Sequence, residues 1–166
     1  KPEHVEPAVR EVLAAQRRAL TAAEGVSSPS LDWLRGLESI NTEIHRVWGP
    51  VSHLNGVLSS PALRDAYNRC LPLVTEFGTE LGQNETLYRH FGALQAGVSA
   101  LPVERHLIEH ALRDFRLGGV TLTGAPRQRF RQIMQELAAH QASFEQNVMD
   151  ATDAFEYRET DRGALA

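Results

Sequence analysis

The sequence predicts an all-α protein built from about five long, partly kinked antiparallel helices. Apolar residues recur at spacings of three and four along most of the 166-residue chain, as expected for helices with one buried face. Capping residues, prolines and glycines divide this pattern at positions where helices commonly begin and end. No strand-like alternation of useful length interrupts it, because Val120–Leu122 is only three residues long.

The first part of the chain carries two predicted helices separated by a polar break. Valines and leucines spaced three to four apart place the first helix at about 3–23, and Gly25 begins the break. Ser30 is a suitable capping residue for the second helix, whose apolar stripe continues to Leu58. Because that stripe stays in phase through Pro50, we predict a kink there rather than a helix end.

A third helix is predicted to start at Ser60-Pro61, because a hydroxyl caps the first turn and proline fits the first helical position. Pro72 predicts a second kink within this helix. Gly82 predicts an interruption, after which the helical pattern resumes as far as Gly97.

Two further helices and a polar tail complete the predicted organisation. The fourth helix covers about 102–117, where two consecutive glycines are typical of a helix end. The fifth begins near Ala125-Pro126, and its apolar residues continue to Val148. We predict a helical domain over 1–156. The polar, aperiodic residues 157–166 are predicted to begin a linker to a region beyond the chain.

Composition limits the classes of function. Apolar residues make up 42% and charged residues 23%, which is typical of a globular protein. No stretch approaches the roughly 20 apolar residues of a membrane span. The net charge of −4, with Arg127, Arg129 and Arg131 spread around a helix, disfavours nucleic acid as a partner. Cys70, the sole cysteine, lies in an apolar run and is predicted to be a buried thiol. We expect a reducing, cytoplasmic location.

His106, Glu109 and His110 form the sharpest match to a chemical motif. They fit the string H-x-x-E-H, in which two histidines one helical turn apart bind zinc and the glutamate acts as general base. A catalytic zinc also needs a third protein ligand, and nothing in the sequence marks one out. Histidines beside an apolar stripe commonly cover the edge of a core. We therefore predict no functional metal site here.

His53 and Asn55 are polar residues inside the apolar stripe of the second helix. Buried polar groups need hydrogen-bond partners, so the pair predicts a structural network rather than catalysis. The sequence has neither a glycine-rich phosphate loop nor a serine in a nucleophile-elbow pattern. The residues alone thus predict a helical domain without catalytic or cofactor-binding residues. A self-contained helical bundle acting as a binding or scaffold module is the alternative.

Five segments of the chain resemble, in the same order, the N-terminal region of a known enzyme family. They are Pro2–Val9, Pro50–Val57, Leu71–Tyr88, Ala111–Leu122 and Asn147–Phe155. Together they are similar to the thimet oligopeptidase family of zinc metallopeptidases. The resemblance covers nearly the whole chain and implies that it is about the first quarter of a larger, two-lobed helical peptidase.

The resemblance assigns the chemistry to the longer enzyme, with zinc as cofactor and short oligopeptides as substrates. It implies that the zinc motif H-E-x-x-H lies in a distant C-terminal catalytic half, and no such string occurs in this chain. The segment is then part of a channel wall, inactive and without zinc when isolated. Its apolar faces pack on the missing half, so we expect the isolated chain to self-associate.

Overall fold

The structure, a computed structural model, describes residues 1–97, 101–160 and 163, and within them every regular element is helical. The predicted all-α class is confirmed. A short 3-10 turn precedes six α-helices. They are α1 (Val5–Glu24), α2 (Leu31–Val57), α3 (Pro61–Gly82), α4 (Glu85–Gly97), α5 (Pro102–Leu117) and α6 (Gly124–Asp153).

The predicted interruption at Gly82 separates two helices, so the structure has one helix more than the five counted from the sequence. α3 ends at Gly82, and α4 begins at Glu85. The side-chain oxygen of Asn84 accepts a hydrogen bond from the backbone N–H of Leu87 at 3.0 Å. This is the geometry of an N-terminal cap, and it starts a new helix immediately after the break.

α2 and α3 continue through their internal prolines, Pro50 and Pro72, so neither proline ends its helix. The kinks predicted at these two residues stay predictions. Both helices also start where the sequence places their caps. The hydroxyls of Ser30 and Ser60 each accept a hydrogen bond from the backbone N–H three residues later, at 3.2 and 3.3 Å. Capping of this kind satisfies a backbone donor that the first turn otherwise leaves unpaired.

The core lies among the first five helices. One fully or almost fully buried residue from each illustrates this arrangement: Val9, Leu34, Cys70, Leu87 and Ile108. The prediction that the Cys70 thiol is buried is confirmed, and burial raises its pKa. α6 packs mainly on α3, and Ala142 is its one buried residue. The last helix is therefore attached to the core rather than part of its centre.

The boundary predicted between a domain at 1–156 and a linker at 157–166 stays a prediction. α6 ends at Asp153, and residues 155–160 are exposed. Residues 161, 162 and 164–166 of the predicted linker lie outside the described residues. Across the ranges that are described, no helix is both long and apolar enough to cross a bilayer.

Ion pairs of two carboxylates lead us to predict how the stability of the fold depends on pH. Two hydrogen bonds from Arg64 on α3 hold the Asp150 carboxylate on α6, at 2.7 and 2.8 Å, and they lower its pKa. Hydrogen bonds from Arg10 and Arg69 likewise lower the pKa of Glu6. A lowered folded-state pKa stabilises the fold above the ordinary carboxyl value of about 4. This stabilisation is lost as the pH falls through the lowered value.

We expect the free energy of unfolding to fall below about pH 4, and to fall modestly less in the variant Glu6→Gln/Asp150→Asn, because partly exposed ion pairs contribute little. Urea unfolding followed by circular dichroism between pH 2 and 7 measures the two slopes. Glu11→Gln, at an exposed position on α1, is the control and should keep the wild-type slope. Equal slopes in all three proteins would show that these ion pairs do not cause the acid sensitivity.

Candidate functional site

The H-x-x-E-H string lies on the outer side of α5. His106 and His110 are exposed, with ring centroids 4.1 Å apart and ring planes at 54° to each other. Glu109 is exposed as well, while Ile108 between the histidines is buried in the core. Burial of Ile108 fixes the rotation of the helix and keeps the histidine pair on the surface. The sequence therefore predicted correctly that the histidines share one face.

The side chains around this pair do not complete a catalytic zinc site. Arg113 Nη2 lies 3.3 Å from His110 Nδ1, and Arg113 also donates hydrogen bonds to Asp114. In the part of the chain that the structure describes, no three His, Cys, Asp or Glu side chains are grouped closely enough to hold a metal ion. A catalytic zinc requires three protein ligands, so the described residues do not fit one.

A groove of about 570 Å³ opens beside the histidine pair, between α5 and the helices α2 and α3. Its volume lies within the range of small-molecule and side-chain pockets. Apolar side chains dominate the lining, among them Leu37, Ile40, Leu81, Phe91, Leu107 and Phe115. Polar side chains add Glu38, His106, His110 and Asp114. The groove thus combines an apolar lining with imidazole and carboxylate groups.

α6 presents an exposed row of apolar side chains, which we call the α6 stripe. It consists of Ile133, Leu137, Phe144 and Val148, with 44%, 47%, 70% and 48% of their surfaces exposed. Their spacings of four and seven place them on one face of the helix. The face that contacts α3 is a different one, since Gln135 donates a hydrogen bond to the backbone oxygen of Pro72. Leu137 also lines a groove between α6 and the helices α2 and α3, so the exposed stripe borders the α3 contact.

The structure buries only one member of the pair His53 and Asn55. Asn55 is 4% exposed, and within the described residues its side-chain oxygen has no hydrogen-bond partner. His53 is exposed. The two side chains thus occupy different environments, because residues two apart on a helix point to nearly opposite sides of it. The predicted structural hydrogen-bond network is not among the contacts that the structure describes for either side chain.

Gln83 is a buried polar residue that sequence reasoning missed. Its side-chain oxygen accepts hydrogen bonds from Nε of Arg127 at 3.3 Å and from Nε of Arg131 at 2.8 Å. Arg127 also donates to the backbone oxygen of Gln83 at 2.6 Å. Arg129 points elsewhere and pairs with Glu136. Two of the three arginines thus tie the start of α6 to the α3–α4 break, a role that their spacing of four permits.

Comparison with known proteins places these features in one family. The family model of the neurolysin/thimet oligopeptidase N-terminal domain matches residues 9–127. The chain is 36% identical over 162 residues to oligopeptidase A of Haemophilus influenzae, covering 94% of this chain and 24% of that protein. It is 35% identical over 170 residues to oligopeptidase A of Escherichia coli, covering 99% of this chain and 25% of the relative.

A plant relative shows the same partial coverage. The chain is 32% identical over 163 residues to a probable cytosolic oligopeptidase A of Arabidopsis thaliana, covering 96% of this chain and 23% of that protein. The chain therefore spans about a quarter of the length of the curated relatives it matches. The similarity concerns their N-terminal domain.

Proposed function

This chain belongs to the neurolysin/thimet oligopeptidase family, and we propose that it forms the N-terminal channel-wall segment of a longer zinc-dependent oligopeptidase that hydrolyses short peptides. The observation that carries the proposal is the match of the N-terminal domain model to most of the chain. The partial coverage of each relative supports it, because about three-quarters of their length has no counterpart here. Zinc and the short peptide substrates belong to the longer protein.

The exposed apolar surface of α6 is consistent with a structural wall that packs against another part of the protein. A 30-residue helix is about 45 Å long, and the α6 stripe extends along about 22 Å of it. Burial of a large apolar side chain contributes about 1.5–3 kcal/mol, so covering the four exposed side chains of the stripe with a partner surface is favourable. We propose that this partner is the C-terminal catalytic half of the same protein. The segment then limits access to a channel and carries out no chemistry.

We place the catalytic zinc in the C-terminal half, as the resemblance to the family implies. Among the described residues of this chain, no three suitable ligands are grouped together. The segment contributes instead a rigid helical framework that excludes folded proteins from the channel. We also propose a cytoplasmic location. The single cysteine, buried as a thiol, fits a reducing compartment. Of the two Arabidopsis thaliana relatives, one is named as cytosolic and the other as organellar.

Expression of the natural reading frame beside this 166-residue chain tests the proposal. We expect the longer protein to cleave a quenched-fluorescent peptide of about ten residues and to lose activity with a chelator. It should not cleave a folded protein that contains the same peptide sequence. The 166-residue chain should cleave neither, at protein concentrations a hundredfold higher.

Two results would overturn the proposal. The first is a natural reading frame that ends near Ala166, which would favour the alternative of a self-contained binding or scaffold module. The second is peptide hydrolysis by the 166-residue chain that disappears with chelator. Circular dichroism of both proteins is the control that the compared chains are helical.

A further inference from the structure

We propose that His106 and His110 form an exchangeable two-histidine site for a borderline divalent transition-metal ion such as Ni²⁺ or Zn²⁺. The proposal revises the sequence-based prediction that these histidines form no metal site. The two side chains line the groove between α2, α3 and α5, and a site with only two protein ligands does not hydrolyse peptides. The inference does not depend on the proposed function, because it rests on the geometry of a single helix and its immediate neighbours.

The helix brings the two rings into chelating range. Side chains four residues apart lie on the same face of a helix, and the ring centroids of His106 and His110 are 4.1 Å apart. Two imidazole nitrogens on one ion, each at about 2.0–2.1 Å, lie about 3 Å from each other. Because both side chains are exposed, small rotations of the rings reach this separation without disturbing the core. The second nitrogen then binds at a high effective concentration.

The ligand set selects the class of ion. Imidazole suits nickel, copper and zinc, whereas magnesium and calcium prefer oxygen ligands. Two protein ligands leave the remaining coordination positions open to water or to a donor group in the groove. Glu38 also lines the groove, and its negative charge favours a cation nearby.

Arg113 is the feature of the structure that opposes binding. Its guanidinium lies 3.3 Å from His110 Nδ1, and it also pairs with Asp114. It therefore places a positive charge next to the ion and occupies a nitrogen that the ion could use. This arrangement makes the site exchangeable, and it provides a substitution that should strengthen binding.

Titration of the metal-free 166-residue chain with Ni²⁺ and, separately, Zn²⁺ in a non-chelating buffer tests the proposal. We expect His106→Ala or His110→Ala to weaken the tightest site at least about tenfold, because a single imidazole loses the chelate advantage. Arg113→Ala should tighten it. The matched control is His45→Ala, since His45 is also an exposed histidine on a helix. This variant should bind the metal ion with the same affinity as the wild type.

A second variant separates chelation from the number of histidines. Arg105→His/His106→Ala keeps two histidines on α5 but places them five apart, on different faces of the helix. It also removes a positive charge, so electrostatics alone would strengthen cation binding. We expect it to bind as weakly as His106→Ala and to lose the rise in melting temperature that Ni²⁺ gives the wild type.

Binding by Arg105→His/His106→Ala as tight as the wild type would overturn the proposal. Equal affinities for the wild type, His106→Ala and His45→Ala would do so as well. Circular dichroism confirms that every variant is helical, so a loss of binding reports the lost ligand.

Discussion

Replacement of Phe91 by alanine is expected to lower the free energy of unfolding by about 3–5 kcal/mol. Phe91 is 3% exposed and lies where α4 meets the rest of the core. Its ring centroid is 5.5 Å from those of Trp33 on α2 and Phe115 on α5, so the substitution removes contacts to two other helices. Phe91 also lines the groove beside α5. Because water can enter an enlarged groove, we expect the lower end of this range.

Phe144→Ala is the matched control, since it makes the same chemical change on α6. Phe144 is 70% exposed, so its truncation should change the free energy of unfolding by less than about 0.5 kcal/mol. Urea unfolding at low protein concentration, where association is minimal, measures both variants. Similar losses in the two variants would show that the aromatic contacts around Phe91 do not hold α4 in place.

The helices could be predicted because their signals are local. Ser30, Ser60 and the glycines after Leu117 fix boundaries through backbone geometry that neighbouring residues determine. The sequence pattern does not establish α4 as a separate helix, because nothing local identifies Asn84 as a cap. Many asparagines are followed three residues later by an apolar residue, so this pattern alone does not predict a helix cap. The capping role of Asn84 becomes evident only when its side chain meets the N–H of Leu87.

The candidate site was predictable only in part, because some of its contacts depend on residues that are distant in the sequence. The helical period places His106 and His110 side by side, and this needs no tertiary information. The burial of Gln83 depends on α6 reaching the α3–α4 break, which brings Arg127 and Arg131 to its side-chain oxygen. No local pattern distinguishes such a glutamine from one on the surface. Long-range packing determines which polar residues become buried.

The apolar pattern of α6 was predicted, but its packing was not. Periodicity shows that a helix has an apolar face, without showing whether the partner lies in the same chain. In the structure the apolar residues of this pattern differ in exposure. Phe130 and Met134 are partly buried, whereas Leu137 and Phe144 remain exposed on the α6 stripe. The proposed channel-wall function accounts for this difference, because it supplies the missing partner.

Self-association through the α6 stripe is therefore expected, and Leu137→Glu/Phe144→Glu should weaken it at least about tenfold. A tenfold change corresponds to about 1.4 kcal/mol, less than the cost of burying two unpaired carboxylates in an apolar interface. Both positions are exposed, so the fold itself should keep its helicity. Sedimentation velocity over a range of concentrations measures the association. Binding of a dye specific for apolar surfaces reports the stripe independently.

The matched control is Gln132→Glu/Ala139→Glu. It adds the same charge to exposed positions seven residues apart, the separation of Leu137 and Phe144, on a different face of α6. If the stripe is the contact surface, this control should associate nearly as strongly as the wild type. Equal weakening by both double variants would attribute the effect to net charge instead. A wild-type chain that stays monomeric at high concentration without binding the dye would contradict an unpartnered stripe, and with it the proposed contact to a catalytic half.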